Sequence, residues 1–131
     1  MTSQGCHKTI LVVEDDRDVR EAIAEVLADS DYEALHAANG AEALERLRGA
    51  AVRPCVILLD IMMPTMDGWQ FRSEQQGDPS MKDIPVVILS AGADAKEAAA
   101  QMDAAGFLRK PVALERLLGV VQRFCAVGQE E

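Results

Sequence analysis

Cys55-Val56-Ile57-Leu58-Leu59-Asp60-Ile61-Met62-Met63-Pro64-Thr65-Met66-Asp67-Gly68 is an apolar run that ends on a carboxylate and passes at once into a loop. Its first residues read as a β-strand buried on both faces, which puts Asp60 at the carboxyl end, where open α/β sheets place their ligands. Pro64 and Gly68 bound the loop. Gly68 can take φ > 0 and Asp67 can cap a helix beginning near Trp69, so the loop is expected to hold a definite shape beside Asp60. The plain alternative is an aspartate that merely ends a strand, as many do in turns.

Upstream, Ile10–Val13 is a second buried strand that runs straight into Glu14, Asp15 and Asp16. Val19, Ile23, Val26 and Leu27 then recur at helical spacing and predict a helix over 17–28. Glu33–Ala37 is a mixed strand suited to a sheet edge. Asn39 with Glu42 forms a capping pair ahead of a helix whose apolar side is Ala43, Leu44 and Leu47, and Pro54 closes that unit.

Downstream, the helix opened by Trp69, Phe71 and Arg72 runs to about Gln76, where Gly77, Asp78 and Pro79 stop it. Val86–Leu89 is wholly apolar and ends on Ser90. Asp94 and Glu97 cap an alanine-rich helix whose one large apolar side chain is Met102, so its attachment is expected to be light. Gly106–Arg109 is a short last strand, followed by Lys110 and Pro111. Leu114, Leu117, Leu118 and Val121 mark a final amphipathic helix.

Strand and helix thus alternate five times, the pattern of an α/β domain with a five-stranded parallel sheet and helices on both faces. The first, third and fourth strands are uniformly apolar and belong in the centre; the second and fifth belong at the edges. That gives the order 2-1-3-4-5, a common doubly wound arrangement. Right-handed crossovers then gather Glu14, Asp15, Asp60, Ser90 and Lys110 at one sheet edge.

A chain of 131 residues, 49% apolar, suits one domain. Residues 1–8 are read as an N-terminal extension, 9–127 as the domain and 128–131 as a tail, leaving no room for a separate output module. The net charge of −9, with no basic stretch, argues against nucleic acid or an anionic membrane as partner. There is no signal-peptide core or spanning run, so a cytoplasmic location is expected. Cys6, Cys55 and Cys125 lack metal-ligand spacing, and reduced structural thiols are the expectation, ahead of zinc or a disulfide. His7 and His36 are assigned no role.

Three carboxylates in one cleft repel unless a cation neutralises them. Mg²⁺, which favours oxygen ligands and combines one or two carboxylates with phosphate, suits Asp15, Asp60 and a nearby backbone carbonyl. Ser90 and Lys110 can hold phosphoryl oxygens while Asp60 attacks phosphorus. Each residue alone also fits a solvated turn, a strand end or a surface lysine; their convergence at one edge favours chemistry.

The chain from about Thr9 to Val127 resembles the receiver domain of two-component response regulators, of the stand-alone chemotaxis-receiver type, with its flavodoxin-like fold. The resemblance is carried by Leu11-Val12-Val13-Glu14-Asp15, Leu59-Asp60-Ile61-Met62-Met63-Pro64 with Met66-Asp67-Gly68, Leu89-Ser90-Ala91 and Lys110-Pro111. It implies that Asp60 accepts phosphate from a sensor histidine kinase or a histidine phosphotransfer protein. It further implies that Asp15, Asp60 and the Met62 carbonyl hold Mg²⁺, with Glu14 acting through water, and that Ser90 and Lys110 read out the phosphoryl group. A cis peptide before Pro111 follows from the same likeness, as does a switch in which Ser90 moves toward the phosphate and Phe107 fills the vacated space.

Four positions depart from the family pattern. Phe107 stands where tyrosine is frequent and is expected to favour an inward rotamer, lacking a polar tip; a plain core aromatic is the alternative. Val112 replaces a frequent phenylalanine. Met62 and Gly92 hold the two positions that tend to set phosphoryl lifetime, and neither side chain can orient a water, so a long-lived aspartyl phosphate is expected.

A phosphatase or phosphotransferase of the haloacid dehalogenase type also uses a strand-end aspartate with Mg²⁺, but its second acid is replaced here by Met62 and no cap domain fits the length. A receiver-like scaffold without phosphorylation is a third reading. The expected switch catalyses only its own phosphorylation and dephosphorylation, and signals to an unknown protein target through the alanine-rich helix, the last strand and the final helix.

Overall fold

The computed structural model describes residues 8–49, 53–63, 66–92 and 95–125. The expected extension, except Lys8, the tail, Val127, Cys6, His7, Pro64, Thr65 and the capping Asp94 lie outside the described residues. Among the described residues ten elements alternate: β1 (Thr9–Val13), α1 (Arg17–Asp29), β2 (Glu33–Ala37), α2 (Gly40–Gly49), β3 (Val56–Asp60), α3 (Gly68–Gln76), β4 (Val86–Ser90), α4 (Ala95–Gln101), β5 (Gly106–Arg109) and α5 (Leu114–Cys125).

All neighbouring strands are parallel and the order is β2-β1-β3-β4-β5, as the distribution of apolar residues requires. β1 and β3 are buried throughout and β4 up to its last residue, whereas β2 exposes Glu33 and β5 exposes Arg109. Alternate strand residues build two cores. Leu11, Val13, Ile57, Leu59, Val86 and Ile88 face Ala43, Leu44, Phe71, Ala98 and Ala99 of α2, α3 and α4. Ile10, Val12, Val56, Leu58, Val87 and Leu89 face Ile23, Leu27, Leu117 and Val121 of α1 and α5. A strand buried on both faces has no polar alternation to keep.

The helix starts follow side-chain capping. Asp16 accepts from the backbone N–H groups of Asp18 and Val19, opening α1. Asn39 accepts from Glu42 N–H, but the Glu42 carboxylate reaches back to Ala38 N–H rather than to Asn39. Asp67 and Gln70 complete a reciprocal capping box for α3.

Three details differ from the sequence reading. Gly68 does not take φ > 0; the glycine is needed because a Cβ there would lie 2.8 Å from the Asp60 carbonyl oxygen. Leu114 is 53% exposed and outside the α5 stripe, which consists of Leu117, Val121 and Cys125. Cys55 and Cys125 are joined in a disulfide, contrary to the expected free thiols. Their 70-residue separation conceals the pairing, which arises because α5 lies back along β3 and ends beside its first residue.

Candidate functional site

The register of the sheet sets the site. Val13 pairs with Leu59, Asp60 with Leu89 and Ser90 with Arg109, so the residues that follow β1 and β5 emerge beside Asp60 and Ser90. Lys110 N–H donates to Ser90 O at 2.9 Å and Glu14 N–H to Ala37 O at 3.0 Å, extending the sheet pairing by one residue at each place. The Lys110–Pro111 peptide is cis, as expected.

The Asp60 carboxylate is 4% exposed. Its Oδ2 lies 3.2 Å from Lys110 Nζ, and its Oδ1 accepts from Met62 N–H at 3.3 Å. Glu14, 1% exposed, holds the same ammonium through Oε1 at 2.6 Å, while its Oε2 accepts from Asp16 N–H. Asp15 is exposed, yet it can bring one carboxylate oxygen within 4.8 Å of those of Glu14 and Asp60. Two carboxylates therefore hold the Lys110 ammonium, and a third, Asp15, stands beside them.

Burial, and then the charge of Glu14, push the Asp60 carboxyl up to about 6, against the pull of Lys110. Burial alone would draw Lys110 downward. The hydrogen bond to Glu14 and the charges of Asp60 and Glu14 outweigh it, so Lys110 is raised and stays cationic. A pocket that disfavours its own negative charge after recruiting a lysine is chemically matched to a hard cation with oxygen ligands. The donor set of Glu14, Asp15 and Asp60 fits one.

The carboxylates open into a cleft of about 510 Å³ whose wall also includes Met62, Trp69, Ser90 and Lys110. Ser90 is half-buried and its Oγ accepts from Gly92 N–H at 3.0 Å, which leaves the hydroxyl proton free to donate. Met62, 78% exposed, and Trp69, 40% exposed, form an apolar lip at the mouth. Phe107 is half-buried, packs against the α2/α3/α4 core and lines a second, smaller cavity with Arg109, Pro111 and Arg116.

Every residue singled out at the strand ends thus converges except Phe107, which stands behind the cleft on β5. The sequence reading missed Trp69 as a cleft residue, Arg20, whose guanidinium donates to Glu14 O at 2.7 Å, and Gly40, where a Cβ would meet Met66 Cγ at 2.7 Å. Asp16, read only as part of the acidic run, had a usable signal as a cap, being an aspartate directly before a helical period. Arg20 had none, because a half-buried arginine on a charged helix has no local signature.

A response regulator receiver domain model matches residues 10–122. The response regulator MprA of Mycobacterium tuberculosis is 40% identical over 111 residues, covering 83% of this chain and 46% of that protein. MprA of Mycobacterium ulcerans is 41% identical over 113 residues, with the same coverage. The chain therefore spans about half the length of the curated relatives it matches. Among solved structures, a response regulator from Chloroflexus aurantiacus superposes with a TM-score of 0.83 at 30% identity, covering 91% of this chain and 98% of that one. The chemotaxis response regulator CheY4 of Vibrio cholerae gives 0.78 at 31% identity, covering 88% and 97%. The Mn²⁺-bound form of the response regulator Rcp1 gives 0.71 at 31% identity, covering 88% and 90%.

Proposed function

Because the chain belongs to the response regulator receiver domain family of two-component systems, we propose that Asp60 is its phosphoacceptor and that phosphorylation switches a protein-binding face. Receiver domains are phosphoacceptor switches rather than conventional enzymes. The observation that carries the assignment to Asp60 is its position: buried, at the end of a central strand, with Lys110 3.2 Å away and a cleft in front of it.

The donor is a phosphorylated histidine of a sensor kinase or phosphotransfer protein. An Asp60 oxygen attacks phosphorus; the new P–O bond forms as the P–N bond breaks, and the imidazole leaves with the electron pair and takes up a proton. Lys110 and the Ser90 hydroxyl donate to the phosphoryl oxygens as charge develops on them. Met62 N–H keeps Asp60 oriented, and the Met62 and Trp69 side chains restrict water at the mouth.

Asp15, Asp60 and the Met62 carbonyl would hold Mg²⁺, with Glu14 reaching it through water. The ion would shield the carboxylates from the incoming phosphate. The Mn²⁺ bound by Rcp1 supports a divalent site of this kind.

The switching face is built from α4, β5 and α5. α4 is anchored mainly by the small buried residues Ala95, Ala98 and Ala99, so a pull on Ser90 meets little resistance from it. Phe107, between the core and the Arg109–Arg116 cavity, would move as Ser90 moves. The downstream target is a protein that docks there, and the switch works where the kinase's phosphohistidine is presented, in the cytoplasm.

Incubation with Mg²⁺ and a small phosphodonor tests the reading. The expected product is one acid-stable, base-labile phosphate per chain, absent in Asp60→Asn. Continuous turnover of the donor would indicate an enzyme, and no incorporation would indicate a scaffold; either outcome overturns the assignment.

A further inference from the structure

Cys55 and Cys125 lie at the end of the sheet opposite the phosphoacceptor. Cys55 directly precedes β3, the strand whose other end carries Asp60, and Cys125 is the last residue of α5. Their Cα atoms are 5.5 Å apart, at the usual separation for a disulfide and within reach without backbone movement. Cys125 is 4% exposed, packed in the α1/α5 core, while Cys55 is half-buried. Cys55 is thus the less buried of the two, and Cys125 is the one enclosed by the core.

Leu117, Val121 and Cys125 of α5 are buried, Val120 and Phe124 are partly buried against the same core, and Leu114 at its start is exposed. Cys125 is the last of these packed residues, so a bond there acts on the final turn, where a helix end frays first.

We propose that Cys55 and Cys125 form a reversible redox clasp that sets how firmly α5 is held on the sheet, giving this domain a second covalent input besides Asp60. The oxidant is a low-molecular-weight disulfide such as oxidised glutathione. The Cys55 thiolate attacks one of its sulfurs and expels a glutathione thiolate; the Cys125 thiolate then attacks Cys55 Sγ in the mixed disulfide and expels the second. Two cysteine thiols lose two electrons and two protons, and oxidised glutathione becomes two molecules of reduced glutathione. In a reducing milieu the same steps run backwards and the last turn of α5 loosens.

The proposal does not depend on Asp60 being phosphorylated. The full chain is equilibrated in oxidised or reduced glutathione, quenched in acid and alkylated with a maleimide under denaturing conditions. With three cysteines in the chain, the reduced sample is expected to take up three maleimides. In the oxidised one Cys6 should carry either a maleimide or a glutathione, with a peptide linking Cys55 to Cys125. Hydrogen exchange in the last turn of α5 is expected to slow about tenfold or more on oxidation, and not in Cys125→Ser under the same buffers. The oxidised unfolding midpoint should rise by about 5 °C or more, because the bond closes a long loop. Three maleimides in both buffers, linkage through Cys6, a bond between two chains, or equal exchange in oxidised and reduced protein would each overturn the clasp.

Discussion

The Lys110 ammonium is closer to Glu14 than to Asp60, at 2.6 Å against 3.2 Å. The lysine proposed to meet the phosphoryl group is therefore held by a buried neighbour as well as by the proposed acceptor. Each of these charges is set by the others. A cation or a phosphoryl group entering the cleft redistributes all of them, and the first consequence concerns stability.

Asp60→Asn is expected to stabilise the cation-free protein at pH 7 by about 1–3 kcal/mol. The Asp60 carboxyl is pushed up to about 6 in the folded state, above its unfolded value near 4. Folding therefore favours the protonated form. The contribution is fully present below about pH 4, is lost as pH rises through about 6, and is absent at neutrality. Thermal unfolding of both proteins between about pH 4 and 8 should show the advantage of the Asp60→Asn variant growing across that window.

Asp15→Asn should weaken Mg²⁺ affinity by about tenfold or more while changing stability by less than about 0.5 kcal/mol, since Asp15 is exposed. Mg²⁺ titrations followed by Trp69 fluorescence read the first quantity, because Trp69 lines the same cleft. Added Mg²⁺ should also raise the unfolding midpoint of the wild type more than that of the variant.

Gly68→Ala is expected to cost about 1–3 kcal/mol by overpacking, and to slow phosphorylation at saturating donor. The new methyl would sit 2.8 Å from Asp60 O and 2.9 Å from Ile61 Cα, both backbone atoms that cannot swing aside. Relief must come from shifting the Asp60 loop. Chemical denaturation and single-turnover labelling separate the two effects.

Arg72→Met should destabilise by about 2–4 kcal/mol. The Arg72 guanidinium is 8% exposed and donates to Met102 O at 2.8 Å, Asp103 O at 2.6 Å and Gln75 Oε1 at 2.7 Å. Gln75 passes the network on to Met81 O and Ile84 O. Burial lowers the Arg72 pKa, with Asp103 opposing, but an arginine stays charged. Methionine fills much of the space and leaves three acceptors without a donor; urea unfolding measures the loss.

The aspartyl phosphate is expected to persist for minutes or longer in purified protein with Mg²⁺ and no phosphatase. Neither Met62 nor Gly92 offers a side-chain hydrogen bond to an attacking water, and Met62 stands at the mouth of the cleft. Met62→Asn should shorten the lifetime. Loss of label within seconds in the wild type would contradict this.

Much of the architecture was readable before any coordinates. The central strands are apolar on both faces, so their residues identify themselves without partners, and β2 and β5 declare themselves as edges by being mixed. Asp60, Ser90 and Lys110 were legible because each interrupts or follows an apolar run at a strand end. The role of Gly68 was only half legible: a glycine was expected for its backbone freedom, whereas its lack of a Cβ against Asp60 O is what the fold uses.

The sequence by itself determined the parallel sheet, its order and the set of polar residues delivered to one edge, because those follow from periodicity and from the short range over which a strand or helix is specified. Only the tertiary structure decided that Glu14 holds Lys110, that Arg72 caps the end of α4 and that Cys125 meets Cys55. Such pairings join residues far apart in the chain. They depend on where packed elements aim their side chains, and local pattern carries no information about that direction until the elements have docked.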